Sequence, residues 1–170
     1  MAINSKKKGN SYERDIANLF CEKFNDKFKR VPQSGAIVGG KNRATNLTLR
    51  EDAQEILAGD IICPKWFPFS VELKNYGEKQ GPNMYTLLES DSKKLDEWVD
   101  QAKGDAQFAK KNWLIIFKIT RKSEYVAVDK DIFINICGSE LPEKYIIYKD
   151  AIIINKETFI NRYINLYFKK

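Results

Sequence analysis

The sequence contains no histidine, and this absence restricts its possible chemistry more than any other feature of its composition. Without histidine there can be no Ser-His-Asp triad, no Cys-His pair, no His-ligated zinc and no histidine general base. Only three cysteines occur, at positions 21, 63 and 137, which excludes a Cys₄ zinc site. Any catalysis must therefore use carboxylates, lysine, tyrosine and hard metal ions.

Long apolar runs are also missing. No stretch of about 18 apolar residues occurs, so the sequence predicts no membrane span. The first eight residues are partly basic but lack a following apolar stretch, so they do not predict a secretory signal. The cysteines are odd in number and lie far apart in apolar segments, which is typical of reduced thiols. We therefore expect a cytoplasmic protein.

The composition that remains is that of a globular protein with a basic excess. The 170 residues, 43% hydrophobic and 31% charged, suit one domain over residues 1–170. Lysine and arginine number 29 against 23 aspartates and glutamates, a net charge of +6 with a pI near 9.1. Such an excess suits a polyanionic partner, because neutralising phosphates releases counterions. Charge alone leaves open whether nucleic acid is that partner.

Hydrophobic periodicity predicts a mixed α/β domain with one central sheet flanked by helices. Helices are predicted at 11–24, 91–110, just after 129, and 156–168. Strands are predicted at 59–63, 69–74, 113–119, 124–128 and 145–154. The strand at 113–119 is the most apolar, so we expect it to be central. The polar, Gly-containing segment 36–58 is predicted to be a long loop or flap.

The stretch most informative about chemistry contains Glu72 and Lys74. Residues at i and i+2 of a strand share a face, although such a pair alone more often marks a solvated surface. Asp60 begins the preceding predicted strand, and a hairpin would place it beside Glu72. Two adjacent carboxylates repel each other unless a divalent cation such as Mg²⁺ or Mn²⁺ lies between them. With a lysine to position water or stabilise charge, these groups are the minimum for metal-assisted phosphodiester hydrolysis.

Glu13 is a fourth candidate. It lies on or beside the apolar stripe of the first predicted helix, where an unpaired carboxylate is costly. Two interpretations remain open from the helix alone: a metal ligand, or an ion pair with Arg14, Lys23 or Lys27.

Four segments, in order, resemble the PD-(D/E)XK nuclease superfamily: KGNSYER at 8–14, RVPQSG at 30–35, GDII at 59–62 and VELK at 71–74. Their order is similar to that of archaeal-type Holliday junction resolvases. The resemblance implies a restriction-endonuclease-like core with metal-site carboxylates at Glu13, Asp60 and Glu72 and a catalytic lysine at Lys74. It also implies an auxiliary serine, matched by Ser34, and a phosphate-approaching basic residue, matched by Arg30. Two departures are a glycine where the superfamily has proline before the aspartate, and the length of the 36–58 segment.

Weaker candidates lie outside this pattern. Basic residues of the amino-terminal segment and of the flap could bind phosphates, namely Lys8, Lys41, Arg43 and Arg50. Gln101 follows the lysine strand on a helix, where some relatives have a site glutamine, but a surface position is the preferred interpretation. Trp66 and Phe67 are predicted to be an exposed aromatic pair, either a subunit contact or a wedge at a DNA branch.

These observations predict a Mg²⁺-dependent, structure-selective endonuclease that cuts branched DNA, foremost four-way junctions, as a homodimer. Mn²⁺ is expected to substitute for Mg²⁺, and the small domain would suit a phage-encoded enzyme acting in the host cytoplasm. One alternative is a restriction-type or repair endonuclease that uses the same residues on duplex DNA. Another is a DNA-binding module without activity. An RNA-binding protein ranks last, because the sequence lacks the usual RNA-recognition motifs.

Overall fold

The computed structural model describes residues 5–32, 58–78 and 81–168. Its centre is a five-stranded sheet made of β3 (Phe69–Tyr76), β4 (Asn112–Ile119), β5 (Glu124–Asp129), β6 (Tyr145–Tyr148) and β7 (Ala151–Asn155), preceded in the chain by the short strands β1 (Lys29–Arg30) and β2 (Ile61–Ile62). The order across the sheet is β3-β4-β5-β7-β6, with β3 and β4 parallel and the other neighbours antiparallel. β1 and β2 form a separate antiparallel pair. The mixed sheet confirms the predicted fold class.

Helices cover both faces of this sheet. They are α1 (Ser5–Phe24), α2 (Lys93–Ala109), α3 (Lys130–Cys137) and the short α4 (Lys156–Thr158), which continues as a π-helical turn (Phe159–Tyr163) and a 3₁₀ turn (Ile164–Phe168). Helix α2 begins where the Ser92 side chain accepts a hydrogen bond from the Leu95 amide, and it ends at Lys110 in a left-handed conformation.

The core has two layers because side chains of a strand alternate between its faces. On one face Leu114 and Ile116 of β4 pack with α1, α3 and the carboxyl-terminal turns. On the other face Ile115 and Phe117 pack with α2. Strand β4 is therefore buried on both sides, as its apolar sequence predicted.

Three predicted elements were wrong in detail. The single strand predicted at 145–154 is a hairpin, in which β6 and β7 pair and Lys149 takes a positive φ of 53° in the turn. The last helix is regular only at Lys156–Thr158, after which its hydrogen bonding changes to π and 3₁₀. Helix α1 begins at Ser5, six residues before the predicted cap Ser11.

The predicted flap at 36–58 lies outside the described residues except for Ala58, which is buried. Among the helices that the structure describes, none has the length and apolar character needed to cross a membrane.

Candidate active site

Asp60 is fixed against the open edge of β3 by main-chain contacts. Its amide donates to the Val71 carbonyl at 2.7 Å, and its carboxylate Oδ2 accepts from the Leu73 amide at 2.8 Å. Its carbonyl accepts from the Val31 amide at 2.9 Å, which links this point to the residue after β1. The predicted proximity of Asp60 to the Glu72 strand is thus present, although β2 itself pairs with β1.

Gly59 makes this approach possible. Its φ is +81°, and a Cβ at this position would lie 2.6 Å from the Val71 carbonyl oxygen. A side chain would therefore meet the backbone of β3 and would also be strained in its conformation. The glycine that departs from the superfamily pattern is required by the close packing of the segment before Asp60 on β3.

Glu72, Lys74 and Gln101 form a closed set of hydrogen bonds. The Lys74 ammonium donates to Glu72 Oε1 at 2.5 Å and to Gln101 Oε1 at 2.8 Å. The Gln101 amide donates to the same Glu72 oxygen at 2.8 Å. Glu72 and Lys74 share one strand face, as predicted, and α2 places Gln101 over them. The preferred interpretation of Gln101 as a surface residue was therefore wrong.

The signal that could have identified Gln101 is its position on α2. It lies three residues after Trp98 and directly before Ala102, both buried on the inner face of the helix. A glutamine at the border of a buried face needs a polar partner.

Both carboxylates of this cluster are withdrawn from water. Asp60 is 8% exposed and Glu72 is 4% exposed. Burial, reinforced by the nearby negative charge of Asp60, raises the pKa of Glu72 to about 8, although Lys74 opposes the shift. A cation beside the two carboxylates would offset their repulsion. Within the described part of the chain, no hydrogen bond engages Glu72 Oε2 or Asp60 Oδ1, so each residue has an oxygen available to a ligand.

Sequence comparison agrees with this chemistry. A family model described as "phage putative PDDEXK endonuclease" matches residues 4–169. The chain belongs to this family. Searches of the curated proteins and of the solved structures each found no match. Membership in the PDDEXK endonuclease family confirms the predicted superfamily and supports nuclease activity, while the closer likeness to archaeal resolvases stays a prediction.

Glu13 has a partner that the helix alone did not suggest. The Arg30 guanidinium donates through Nε to Glu13 Oε2 and through Nη2 to Asn10 Oδ1 at 3.0 Å. Among the described residues, no three acidic, cysteine or histidine side chains are grouped closely enough to hold a metal ion. The structure therefore does not gather Glu13 with Asp60 and Glu72, and its role as a metal ligand stays a prediction.

Several predicted site residues lie outside the described part of the chain. Ser34, Lys41, Arg43 and Arg50 fall between residues 32 and 58. Lys8 lies within α1, but its side chain is not among those described. Their predicted contacts with DNA stay predictions.

The exposed aromatic pair predicted at Trp66 and Phe67 was wrong for one of its members. Phe67 is fully buried, with its ring centroid 5.5 Å from that of Phe20 and 5.1 Å from that of Phe28. Trp66 is 48% exposed, and its indole donates to Asp26 Oδ2 at 2.7 Å. Phe67 is therefore a core residue, and of this pair Trp66 is the member exposed to a partner.

Proposed function

We propose that the chain is a Mg²⁺-dependent DNA endonuclease that cuts branched DNA, foremost four-way junctions, at a site formed by Asp60, Glu72, Lys74 and Gln101. The observation that supports it best is the buried cluster in which Lys74 and Gln101 both bind Glu72 while β3 holds Asp60 beside it. Carboxylates are the ligands that Mg²⁺ and Mn²⁺ prefer, and a chain without histidine offers few other catalytic groups.

In this proposal Asp60 and Glu72 hold the metal through the oxygens that the described hydrogen bonds leave available. When bound, Mg²⁺ supplies positive charge to the phosphate and makes coordinated water more acidic. The Leu73 amide orients the Asp60 carboxylate, and Gln101 orients that of Glu72. Both ligands are thus fixed by the fold before the substrate arrives.

Lys74 acts on the phosphate and the attacking water. Its side chain is 11% exposed, and its ammonium is held by Glu72 and Gln101, so it can donate its remaining hydrogen to a phosphate oxygen or to the water. The water oxygen attacks phosphorus in line and gives up a proton to solvent, a bridging P–O bond breaks, and the departing oxygen takes up a proton from solvent. Ser34 is proposed as an additional phosphate contact. Glu13 would need to exchange Arg30 for the metal to complete the site.

The proposed substrate and assembly are linked by symmetry. Resolution of a junction needs two cuts on opposed strands, which a homodimer with two-fold symmetry can make at a fixed spacing. The excess of basic residues suits a DNA partner, so binding should weaken as salt concentration rises. Sedimentation of the protein, free and bound to a junction, tests the dimer. A monomer in both states would refute it.

The cleavage test uses labelled four-way junction, Y-fork and linear duplex, each with Mg²⁺, Mn²⁺ or EDTA. Wild type should make paired symmetric nicks in the junction with either metal and none in EDTA. Glu72→Gln and Lys74→Met should abolish cleavage but retain junction binding. The matched control is Glu97→Gln, because Glu97 lies on the exposed surface of α2 and binds only Lys94 among the described ion pairs.

Each other outcome has a defined meaning. Equal cleavage of linear duplex would replace the junction as substrate and retain the nuclease chemistry. Binding without cleavage of any substrate would favour a DNA-binding module without activity. Cleavage by Glu72→Gln at the rate of the Glu97→Gln control would refute the active-site assignment.

A further inference from the structure

The turn that joins β4 to β5, residues 120–123, is here called the β4–β5 turn. It is hydrogen-bonded to the end of β3, beyond the candidate site. The Thr120 amide donates to the carbonyl of Tyr76, the last residue of β3, at 2.9 Å, and the Thr120 hydroxyl donates to the same oxygen at 3.1 Å. Tyr76 lies two residues beyond Lys74, a distance of roughly 7 Å along a strand. The β4–β5 turn is therefore fixed immediately beside the proposed site.

Arg121 lies in the middle of the β4–β5 turn. The Lys122 amide donates to the Ile119 carbonyl at 2.9 Å and closes the turn, and Arg121 has a positive φ of 64°. Its side chain is exposed, and no ion pair or hydrogen bond of that side chain occurs within the described part of the chain. Its guanidinium is thus available to an external anion.

Lys122 is held toward the loop that follows β3. Its ammonium lies 3.4 Å from Glu78 Oε1 and 5.9 Å from the ring centroid of Tyr85. The Lys122 and Glu78 side chains are 42% and 55% exposed. An exposed pair of this kind contributes little stability, so the lysine can exchange the carboxylate for a phosphate at small cost.

The surroundings of the turn have an excess of positive charge. Glu124 Oε1 accepts from Lys118 at 2.9 Å, and Glu124 Oε2 accepts from Lys156 at 2.6 Å. In the part of the chain that the structure describes, Lys118, Lys122 and Lys156 pair with two carboxylates, those of Glu78 and Glu124, and Arg121 adds a fourth basic side chain. The exposed Arg121 and Lys122 beyond the end of β3 favour a polyanion that extends past the candidate site.

We propose that the β4–β5 turn is a second DNA contact, in which Arg121 and Lys122 bind backbone phosphates that flank the phosphate at Lys74. Tyr76, whose carbonyl holds this turn, lies roughly 7 Å from Lys74 along β3, about the axial rise of two nucleotides of one strand. Glu78 and Tyr85 position Lys122 until DNA binds. Contacts to phosphates position a substrate without reading its sequence, so this surface acts on branched and linear DNA alike. The proposal rests on the proposed nuclease function.

The test compares Arg121→Gln and Lys122→Gln with wild type in binding labelled duplex and labelled four-way junction. Binding is measured by fluorescence anisotropy in EDTA over a range of KCl concentrations. Each variant should bind both DNAs more weakly by a similar factor, and the slope of log K against log salt should fall by about one per lost contact. Arg121→Lys retains the charge and should keep the wild-type slope, which separates loss of charge from distortion of the turn.

The matched control is Lys65→Gln. Lys65 is also exposed and lies in the turn before β3, at the opposite end of that strand, so this variant should bind as wild type does. If Arg121→Gln and Lys122→Gln both matched this control while wild type cut DNA, the second contact would be refuted and the nuclease proposal would stand. If wild type neither bound nor cut any of the DNAs, both proposals would fail.

Discussion

Gly59→Ala tests how closely the segment before Asp60 must pack on β3. The added Cβ would lie 2.6 Å from the Val71 carbonyl oxygen, 3.0 Å from Ser70 Oγ and 3.1 Å from the Val71 amide nitrogen. Two of these atoms belong to the backbone of a sheet strand and cannot rotate away. A side chain at positive φ costs roughly 1–3 kcal/mol, and overpacking adds about 1–3 kcal/mol. We therefore expect the free energy of unfolding to fall by about 2–6 kcal/mol.

Gly138→Ala is the matched control. Gly138 also has a positive φ, +56°, but a Cβ there would have no atom within 4 Å. It should therefore show only the conformational cost of roughly 1–3 kcal/mol. The difference between the two variants, about 1–3 kcal/mol, corresponds to roughly 2–12 °C in melting temperature for a chain of this length. Thermal unfolding followed by circular dichroism measures it.

The same pair of variants reports on the site. The alanine at position 59 must displace the Asp60 amide from the Val71 carbonyl, and the Asp60 carboxylate moves with it. Cleavage by Gly59→Ala should be lost at a temperature where both variants are folded, while Gly138→Ala should cut as wild type does. Equal melting temperatures and equal cleavage for the two variants would refute the argument that this packing positions Asp60.

Three further predictions test separate features. Gln101→Leu should lower kcat about 10–100-fold with little change in KM, because Lys74 loses a partner that orients it; an unchanged kcat would contradict this role. Phe67→Ala should reduce the free energy of unfolding by about 3–5 kcal/mol, whereas Trp66→Ala should reduce it clearly less because Trp66 is half exposed. Urea titration measures both, and a larger loss for Trp66→Ala would contradict the burial of Phe67. Partial burial raises the pKa of Glu124, but hydrogen bonds from two lysines outweigh it and lower the pKa below the ordinary glutamate value. The ion pairs that lower this pKa stabilise the folded state at any pH above the ordinary glutamate pKa, and this stabilisation is lost as pH falls through the folded pKa. Wild type should therefore be more stable than Glu124→Gln at neutral pH, and the two should converge in acid.

The parts of the fold that were predictable have strong local patterns. In α1 the apolar residues Tyr12, Ile16 and Phe20 recur at helical spacing and are all buried. The apolar run in β4 indicated an interior strand, and Leu114 and Ile115 are indeed buried on opposite faces. In such segments burial and local propensity favour the same structure.

The hairpin between β6 and β7 was missed because its turn has no characteristic residues. Lys149 has a positive φ, which glycine or asparagine normally provides. The available signal was the pair Lys149 and Asp150 within an otherwise apolar run. The turn at Lys149 is formed because β6 pairs with β7, and the local sequence preference did not indicate this turn.

The sequence predicted the part of the candidate site that lies within one short segment, residues 60–74. The spacing of Asp60, Glu72 and Lys74 predicted their proximity, because a strand alternates its faces and a connection returns the chain. The contact of Gln101 with Glu72 spans 29 residues, and it depends on how α2 packs across the sheet. The pair of Glu13 with Arg30, 17 residues apart, depends in the same way on where β1 lies against α1.

Helix α2 contacts both edges of the sheet, and this gives the far edge an influence on the site. Near its start Asp96 binds the Lys149 ammonium at 2.8 Å and the Tyr148 hydroxyl at 2.9 Å, both from the β6 edge. Gln101, roughly 7.5 Å further along the helix axis, binds Lys74 at the β3 edge. A hydrogen-bonded helix is stiff over this distance, so a displacement of its anchor moves the Gln101 amide as well. The anchor of α2 at the β6 edge therefore helps to set where Gln101 lies in the proposed site.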